Sequence, residues 1–462
     1  MAYRSKTGRR PDEAASKSSH SYVVTDPDVQ NFLSRCTLPK RAEEVKLENL
    51  IPHQLQDDAP ISHILAVDGG YTEVMVQAEF PSATIAFFQF GVLFFSVKDL
   101  ENLDHQPFID PEDISKLRNI QRLKLVIPVK NVAYAGEASL THSVRRALYE
   151  FCYRQPEERE TFAETLKWLI FEEFTQPQSE WRLASCPHCG KDDSKGLNIP
   201  LERIHMTRQY TFTCPNCCKE IYITDVLRLH EAIDDELGAG GALGYLTTAL
   251  EQIILAHLIR LVLKTKPELM EKCLFIKDGP LAFFGQTANL HRPMRALVAF
   301  LEDHHNLFMA GLEKSGPFVD HAHEIAAKFP RGHILLLDNE YIYKYIIPGR
   351  GKETEPYGRT TYYGKKLIFK TSQGQIYVAS LPSTDFPAKP ELTSEAAYAA
   401  RQSRYSDARQ YLNLHIVLSY LEKLRCDMYD NALIPVALAN KLVSLSNHPS
   451  QKILQRFTQS LV

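Results

Sequence analysis

The chain lacks any strong charge bias: 53 Lys and Arg stand against 56 Asp and Glu, a formal net of −3. That excludes a protein whose whole surface binds nucleic acid, though not one with a local basic groove. Cysteine is sparse, nine in 462 residues, which excludes a dense disulfide scaffold. No apolar run is long enough to cross a bilayer. The longest, Ala83 to Val97, is broken by Gln89 and falls short of the ~20 residues a spanning helix needs. Residues 1–20, MAYRSKTGRRPDEAASKSSH, lack the apolar core of a secretory signal. The glycines at 238–244 are not followed by a P-loop lysine, so the chain carries no ATPase motif, and no Ser-His-Asp spacing can be read. These absences lead to the expectation of a soluble, cytoplasmic protein with no membrane partner.

What is present supports a large folded core, with 44% hydrophobic and 24% charged residues. At ~150 residues per domain, the length corresponds to about three modules or one large domain with insertions. Residues 1–30 are polar and mixed in charge, and are expected to form a mobile tail. Ile61 to Val67 predicts a buried strand stopped by a turn at Asp68-Gly69-Gly70. Val74 to Phe80 and Thr84 to Val97 follow as two more strands of a meander. Phe162 to Glu173 predicts a helix. So does Tyr245 to Leu263, where Leu246, Leu250, Ile253, Ile254, Leu258 and Leu261 define one broad buried face.

Between those helices, residues 231–244 are acidic, then glycine-rich, and predict a flexible linker. Cys273 to Lys277, Leu307 to Leu312 and His333 to Leu337 add strands. Lys365 to Leu381 predicts a hairpin turning at Ser372-Gln373-Gly374, and roughly the last 75 residues are helical in pattern.

An apolar strand ending in Asp occurs twice, in ILAVDGG (Asp68) and LFIKDGPL (Asp278). A sheet holds such a carboxylate firmly at its solvent edge, and the glycine after it leaves room for a substrate or metal. Taken alone, Asp-Gly after a strand is usually just a turn. The order of elements adds weight, because three strands, an insertion, a long helix and another strand make an RNase H-like core. The helix offers Glu251. Such carboxylates can hold a Mg²⁺ or Mn²⁺ pair ~3.5–4 Å apart and so cleave a phosphodiester by two-metal hydrolysis. Hard oxygen ligands suit those ions rather than zinc.

The ordered set AVDGG, a helix bearing Glu, KDGPL and MAGLEKSG resembles the NurA family of DNA-end-processing nucleases, over roughly residues 60 to 450 apart from the cysteine-rich insertion. The resemblance implies an RNase H-like fold, manganese dependence, a homodimer, and work with a HerA-type hexameric translocase in DNA repair or anti-phage defence. It implies Asp68, Glu251 and Asp278 as ligands of Mn²⁺ or Mg²⁺, and Lys314 in GLEKS as a contact to the scissile phosphate. The family's last motif carries a histidine where ALIPVALANKL has Asn440, which cannot act as an imidazole ligand. Asn440 is kept as a catalytic candidate, with His257, His291 and His448 as substitutes. The exchange also keeps open a catalytically weak or inactive adaptor that binds DNA and the motor.

Two further features stand apart from that set. Cys186-Pro-His-Cys189 and Cys214-Pro-Asn-Cys217 are paired knuckles whose four thiolates predict a closed structural Zn²⁺ site, with Cys218 at the usual glycine position. Between Tyr341 and Lys370, basic residues including Arg350, Lys352, Arg359, Lys365 and Lys366 outnumber Glu353 and Glu355, with Tyr341, Tyr343, Tyr345, Tyr357, Tyr362 and Tyr363 interleaved. That mixture predicts a groove for single strands, DNA and RNA being equally open.

The fold class expected is therefore α/β: an RNase H-like mixed sheet flanked by helices, with an inserted zinc ribbon and a helical C-terminal part. The divisions are 1–30 tail, 31–180 first part of the core, 181–230 ribbon, 231–244 linker, and 245–462 second part of the core with the basic hairpin.

Overall fold

The computed structural model describes residues 17–36, 42–56, 60–77, 79–98, 120–154, 160–191, 197–207, 209–347, 357–383, 408–425, 433–444, 453–454 and 456–458. The chain divides into two units, Met1–Lys46 and Leu47–Val462. In the first, residues expected to be a tail form helices α1 (Lys17–Thr25) and α2 (Pro27–Arg35). The Asp26 carboxylate starts α2 by accepting from the backbone N–H groups of Asp28 and Val29.

The second unit is built on a nine-stranded mixed sheet. Its strands are β1 (Leu50–Pro52), β2 (His63–Met75), β3 (Thr84–Ser96), β4 (Ile120–Lys130), β9 (Cys273–Asp278), β10 (Phe308–Glu313), β11 (His333–Leu336), β12 (Gly364–Lys370) and β13 (Ile376–Pro382). Two small hairpins, β5–β6 (Glu180–Leu183, Leu197–Pro200) and β7–β8 (Thr211–Thr213, Glu220–Tyr222), lie in the cysteine-rich segment.

The sheet order is β1-β11-β12-β13-β10-β9-β2-β3-β4. β9 runs parallel to β2 and to β10, while β3 and β4 pair antiparallel. The five strands β4-β3-β2-β9-β10 thus have the RNase H-like order and directions. The expected fold class is what the chain adopts.

Alternating burial explains the layers. Leu65, Val67 and Phe275 enter one core with helices α3 (Leu140–Tyr153), α4 (Phe162–Ile170), α6 (Leu243–Thr265) and α7 (His291–His304). α5 (Leu201–Thr207) belongs to the cysteine-rich segment. Ile64, Ala66, Leu274 and Ile276 enter the other core, with α9 (Leu414–Lys423) and α10 (Ile434–Val443). α8 (Pro317–Ile325) follows β10. Against the expectation that no apolar run is long enough, α6 is long and apolar enough to cross a membrane, but every residue from Ala249 to His257 is buried within the fold. It is a central helix wrapped by protein, rather than one with a single buried face.

Three local expectations are corrected. Asp68-Gly69-Gly70 does not stop a strand: β2 runs through it, pairing Asp68, Gly69 and Gly70 with Gly91, Phe90 and Gln89. Neither glycine adopts the left-handed backbone a turn requires, whereas Gly279, after Asp278, does so at φ +88°. The third meander strand is β4, whose inward Leu125, Ile127 and Val129 alternate with outward Arg122, Lys124 and Val126. Its Pro128 is accommodated at the sheet edge beside a bulge. The supposed flexible linker is packed: Ala239 is buried and donates its N–H to the Val129 carbonyl.

Gly311 in β10 shows how tightly the Asp278 loop is folded down. A Cβ there would lie 2.6 Å from the Gly279 carbonyl oxygen and 2.9 Å from the Leu281 nitrogen, both backbone atoms. Gly311→Ala is expected to destabilise the unit by about 1–3 kcal/mol, read as a lowered denaturation midpoint at unchanged slope.

Candidate metal centre

Asp68 lies within β2 and Asp278 at the end of β9. The register pairs Val67 with Lys277, so the next residues along, Asp68 and Asp278, come side by side. Alternation turns both toward the α9–α10 face, because Ala66 and Ile276, two residues earlier, belong to that core. Lys314 follows β10 directly, and its Nζ donates to Asp278 Oδ2 at 2.7 Å. Asp68 Oδ1 accepts from the Gly69 N–H at 2.8 Å, while Oδ2 is buried with no partner.

Glu251 comes from α6 on the opposite face. Lys277, 1% exposed, reaches its Oε2 at 2.8 Å and also donates to the Asp278 carbonyl. Gly69 is what lets the helix come so close: a Cβ there would sit 2.6 Å from the Phe90 ring and 3.1 Å from Glu251 Oε1. The neighbouring Gly70 does the same for α10, since its Cβ would lie 3.1 Å from the Val443 carbonyl oxygen. The Gly-Gly pair therefore permits close approach on both faces. Beside Glu251, Gln252 fixes the loop after Asp278 by donating to the Ala282 carbonyl at 3.1 Å and accepting from the Tyr363 hydroxyl.

The electrostatics follow from this crowding. Burial first, then the nearby Asp278 and Glu251 charges, push the Asp68 carboxyl up to about 8, with Lys314 and the Gly69 N–H pulling the other way. Glu251 is also raised, chiefly by burial, against the opposing pull of Lys277. An unpartnered buried carboxylate oxygen beside a second carboxylate is a hard-oxygen donor set, and it fits Mn²⁺ or Mg²⁺.

The sequence missed Lys277, although a lone lysine inside the apolar strand LFIKD is its own signal, because a lysine so placed needs a partner. Asn440 is exposed on α10, a helix that packs against β2, β3 and β9. The substitute histidines lie elsewhere in the bonding scheme. His257 Nδ1 is 2.7 Å from the Thr165 hydroxyl, His291 Nδ1 is 2.6 Å from the Ala288 carbonyl, and His448 falls outside the described residues.

Within the described part of the basic segment, several of the named side chains are turned into the fold. Lys366 is buried, paired with Glu313 at 2.7 Å and seated 3.5 Å over the Phe318 ring. Tyr341, Tyr345, Tyr362 and Tyr363 are also buried. β12 is an interior strand, paired with β11 and β13, and both of its faces are covered. Lys370 closes the end of α8 by donating to the Ala326 and Phe329 carbonyls. Arg359 and Lys365 are half-buried, and Arg350 and Lys352 lie outside the described residues.

The cysteine segment gathers as expected. Cys186, Cys189, Cys214 and Cys217 place four sulfur atoms within 4.8 Å of one another, with Cys186 and Cys217 at 3.8 Å. The edge of a tetrahedron of sulfurs around an ion at ~2.3 Å is about 3.8 Å, so the set fits a tetrahedral metal site. Each knuckle closes with the same turn, Gly190 and Cys218 donating to the Cys186 and Cys214 carbonyls from left-handed backbones at φ +63° and +55°. Cys218 thus fills a position that favours glycine. The ribbon is tied to α3 by the buried Arg145–Asp225 pair at 2.7 Å and by His188, 2.8 Å from His142 Nε2 and 3.1 Å from Arg145. Among the described residues, no other trio of Cys, His, Asp or Glu side chains is gathered this tightly.

The raised Asp68 carboxyl makes the metal-free fold sensitive to pH. Its folded value lies above the unfolded one, so the stability it permits is full below about 4 and is lost as pH rises toward about 8. Asp68→Asn should abolish that loss, so its advantage over wild type in thermal unfolding with chelator present should grow across this window and level off above it.

No protein-family model matches the chain, and no curated protein does. Among solved structures, the NurA nuclease from Sulfolobus solfataricus aligns over 97% of this chain and 98% of its own, at 9% identity and a TM-score of 0.33. A structure of NurA aligns over 97% and 98% at 12% identity and a TM-score of 0.30. NurA with manganese aligns over 88% and 91% at 11% identity and a TM-score of 0.26.

Proposed function

We propose that the chain is a divalent-metal-dependent DNA nuclease that processes ends or single strands by hydrolysing phosphodiester bonds. The observation that carries this reading is the partnerless Asp68 Oδ2, buried beside Asp278 at the junction of β2 and β9 in an RNase H-like sheet. Asp68 and Asp278 would hold the ion. A divalent cation at that point supplies Lewis-acid polarisation of the phosphodiester. Lys314, partly exposed and already on Asp278, is poised to exchange that carboxylate for a phosphate oxygen. The metal pair expected from the sequence requires Glu251 to give up Lys277. The ordered motifs that resemble the NurA family support a homodimer and a HerA-type hexameric translocase as partners, in repair or anti-phage defence.

The four-cysteine set is proposed to hold Zn²⁺ in a structural role, since four thiolates leave no open position for chemistry. The adaptor reading is favoured by a different observation: two of the three carboxylates carry lysine partners, and Asn440 replaces the family's histidine.

Cleavage of end-labelled single- and double-stranded DNA in Mn²⁺, Mg²⁺ or EDTA, alone and with a HerA-type partner, tests the central reading. Wild type should cut only with metal, and Asp278→Ala should lose at least about 10²-fold in rate. Metal-independent cutting would overturn the metal-dependent reading, and no cutting with DNA still bound would replace the nuclease with the adaptor. For the ribbon, elemental analysis should find zinc bound to wild type and to Asp278→Ala, but lost from Cys214→Ser together with a lower unfolding temperature.

A further inference from the structure

Strand geometry and the Lys277 contacts bear on how many ions the centre takes. In β9, Phe275 belongs to the α6-side core and Ile276 to the α9–α10 side. Lys277 therefore points toward α6 and Asp278 away from it, as do their register neighbours Val67 and Asp68 in β2. Glu251 meets Lys277 on the first face, and Asp68 and Asp278 share the second. The Lys277 ammonium is 2.8 Å from Glu251 Oε2, bonded to the Asp278 carbonyl, and 1% exposed. It cannot leave without stranding Glu251 in the core. The three carboxylates are not drawn into one tight group as the four sulfurs are.

We infer that the centre takes one divalent ion per chain, held by Asp68 and Asp278, and that Lys277 is a positioning residue that keeps Glu251 out of the ligand set. The inference rests on the metal-dependent reading and deepens it. The fixed charge of Lys277 stands where a second cation would otherwise neutralise Glu251. Lys277 thereby neutralises Glu251 and also anchors the Asp278 backbone from behind.

Equilibrium dialysis of the full chain against Mn²⁺, with zinc counted separately by elemental analysis, decides this without measuring activity. One Mn²⁺ per chain is expected in wild type and in Glu251→Gln. Lys277→Met, which frees Glu251, should take up a second ion, and Lys277→Arg should return the count to one. Two Mn²⁺ in wild type, or an ion lost in Glu251→Gln, overturns the inference while leaving a metal nuclease standing. A count that stays at one in folded Lys277→Met overturns the role of Lys277. No bound Mn²⁺ overturns both readings. Should Lys277→Met fail to fold, the counts for wild type and Glu251→Gln decide alone.

Discussion

The candidate centre depends on one constraint, the parallel pairing of β2 with β9 in the register that sets Val67 against Lys277. Everything chemical follows from it. A one-residue slip would turn the carboxylates to opposite faces of the sheet, because side chains alternate along each strand. The register is enforced on both sides by large apolar cores, with Leu65 and Phe275 in one and Ile64 and Ile276 in the other. Asp68 is thus held beside Asp278 against their mutual repulsion, by packing that neither carboxylate contributes.

The cost of that arrangement appears in the charges. Two carboxylates share one face of the β2–β9 pair and a third lies on the other face, and two lysines answer them. Lys277 is buried and committed to Glu251, while Lys314 is partly exposed and free to exchange partners. A buried pair of this kind is weak evidence for net stability, but breaking it from one side strands a charge. Among the three carboxylates of the centre, Asp68 is the one with a fully buried oxygen that no donor reaches, which leaves that oxygen open to an ion. The cysteine ribbon serves the same scaffold from further off, joined through Arg145 and Asp225 to α3 and continuous with the α6-side core.

Much of this was legible in the sequence, and the failures have physical reasons. Long apolar runs gave the strands and the α6 helix, and matched knuckles gave the sulfur cluster, because thiolate spacing is set by local turns. Asp68 and Asp278 were found from strand ends, and Lys314 from its motif. Gly69 and Gly70 were misread because glycine has two uses, freedom of backbone and absence of a Cβ, and only the second applies here. The charge of Lys366 suggests solvent, but β12 is an interior strand paired on both sides, and its alternation turns Lys366 into the fold against Glu313 and Phe318. Which face of the sheet Glu251 occupies could not be read at all, since it depends on the register of strands far apart in the chain.

The most direct test of the centre is to locate the ion rather than its activity. Fe²⁺ substituted into the site generates hydroxyl radicals with peroxide and cuts the backbone near its ligands, and the fragments can be mapped by mass spectrometry. The account predicts paired cuts close to Asp68 in β2 and Asp278 in β9, competed away by Mn²⁺ and absent in Asp68→Asn. Cuts confined to other segments, or a pattern unchanged in Asp68→Asn, would contradict it.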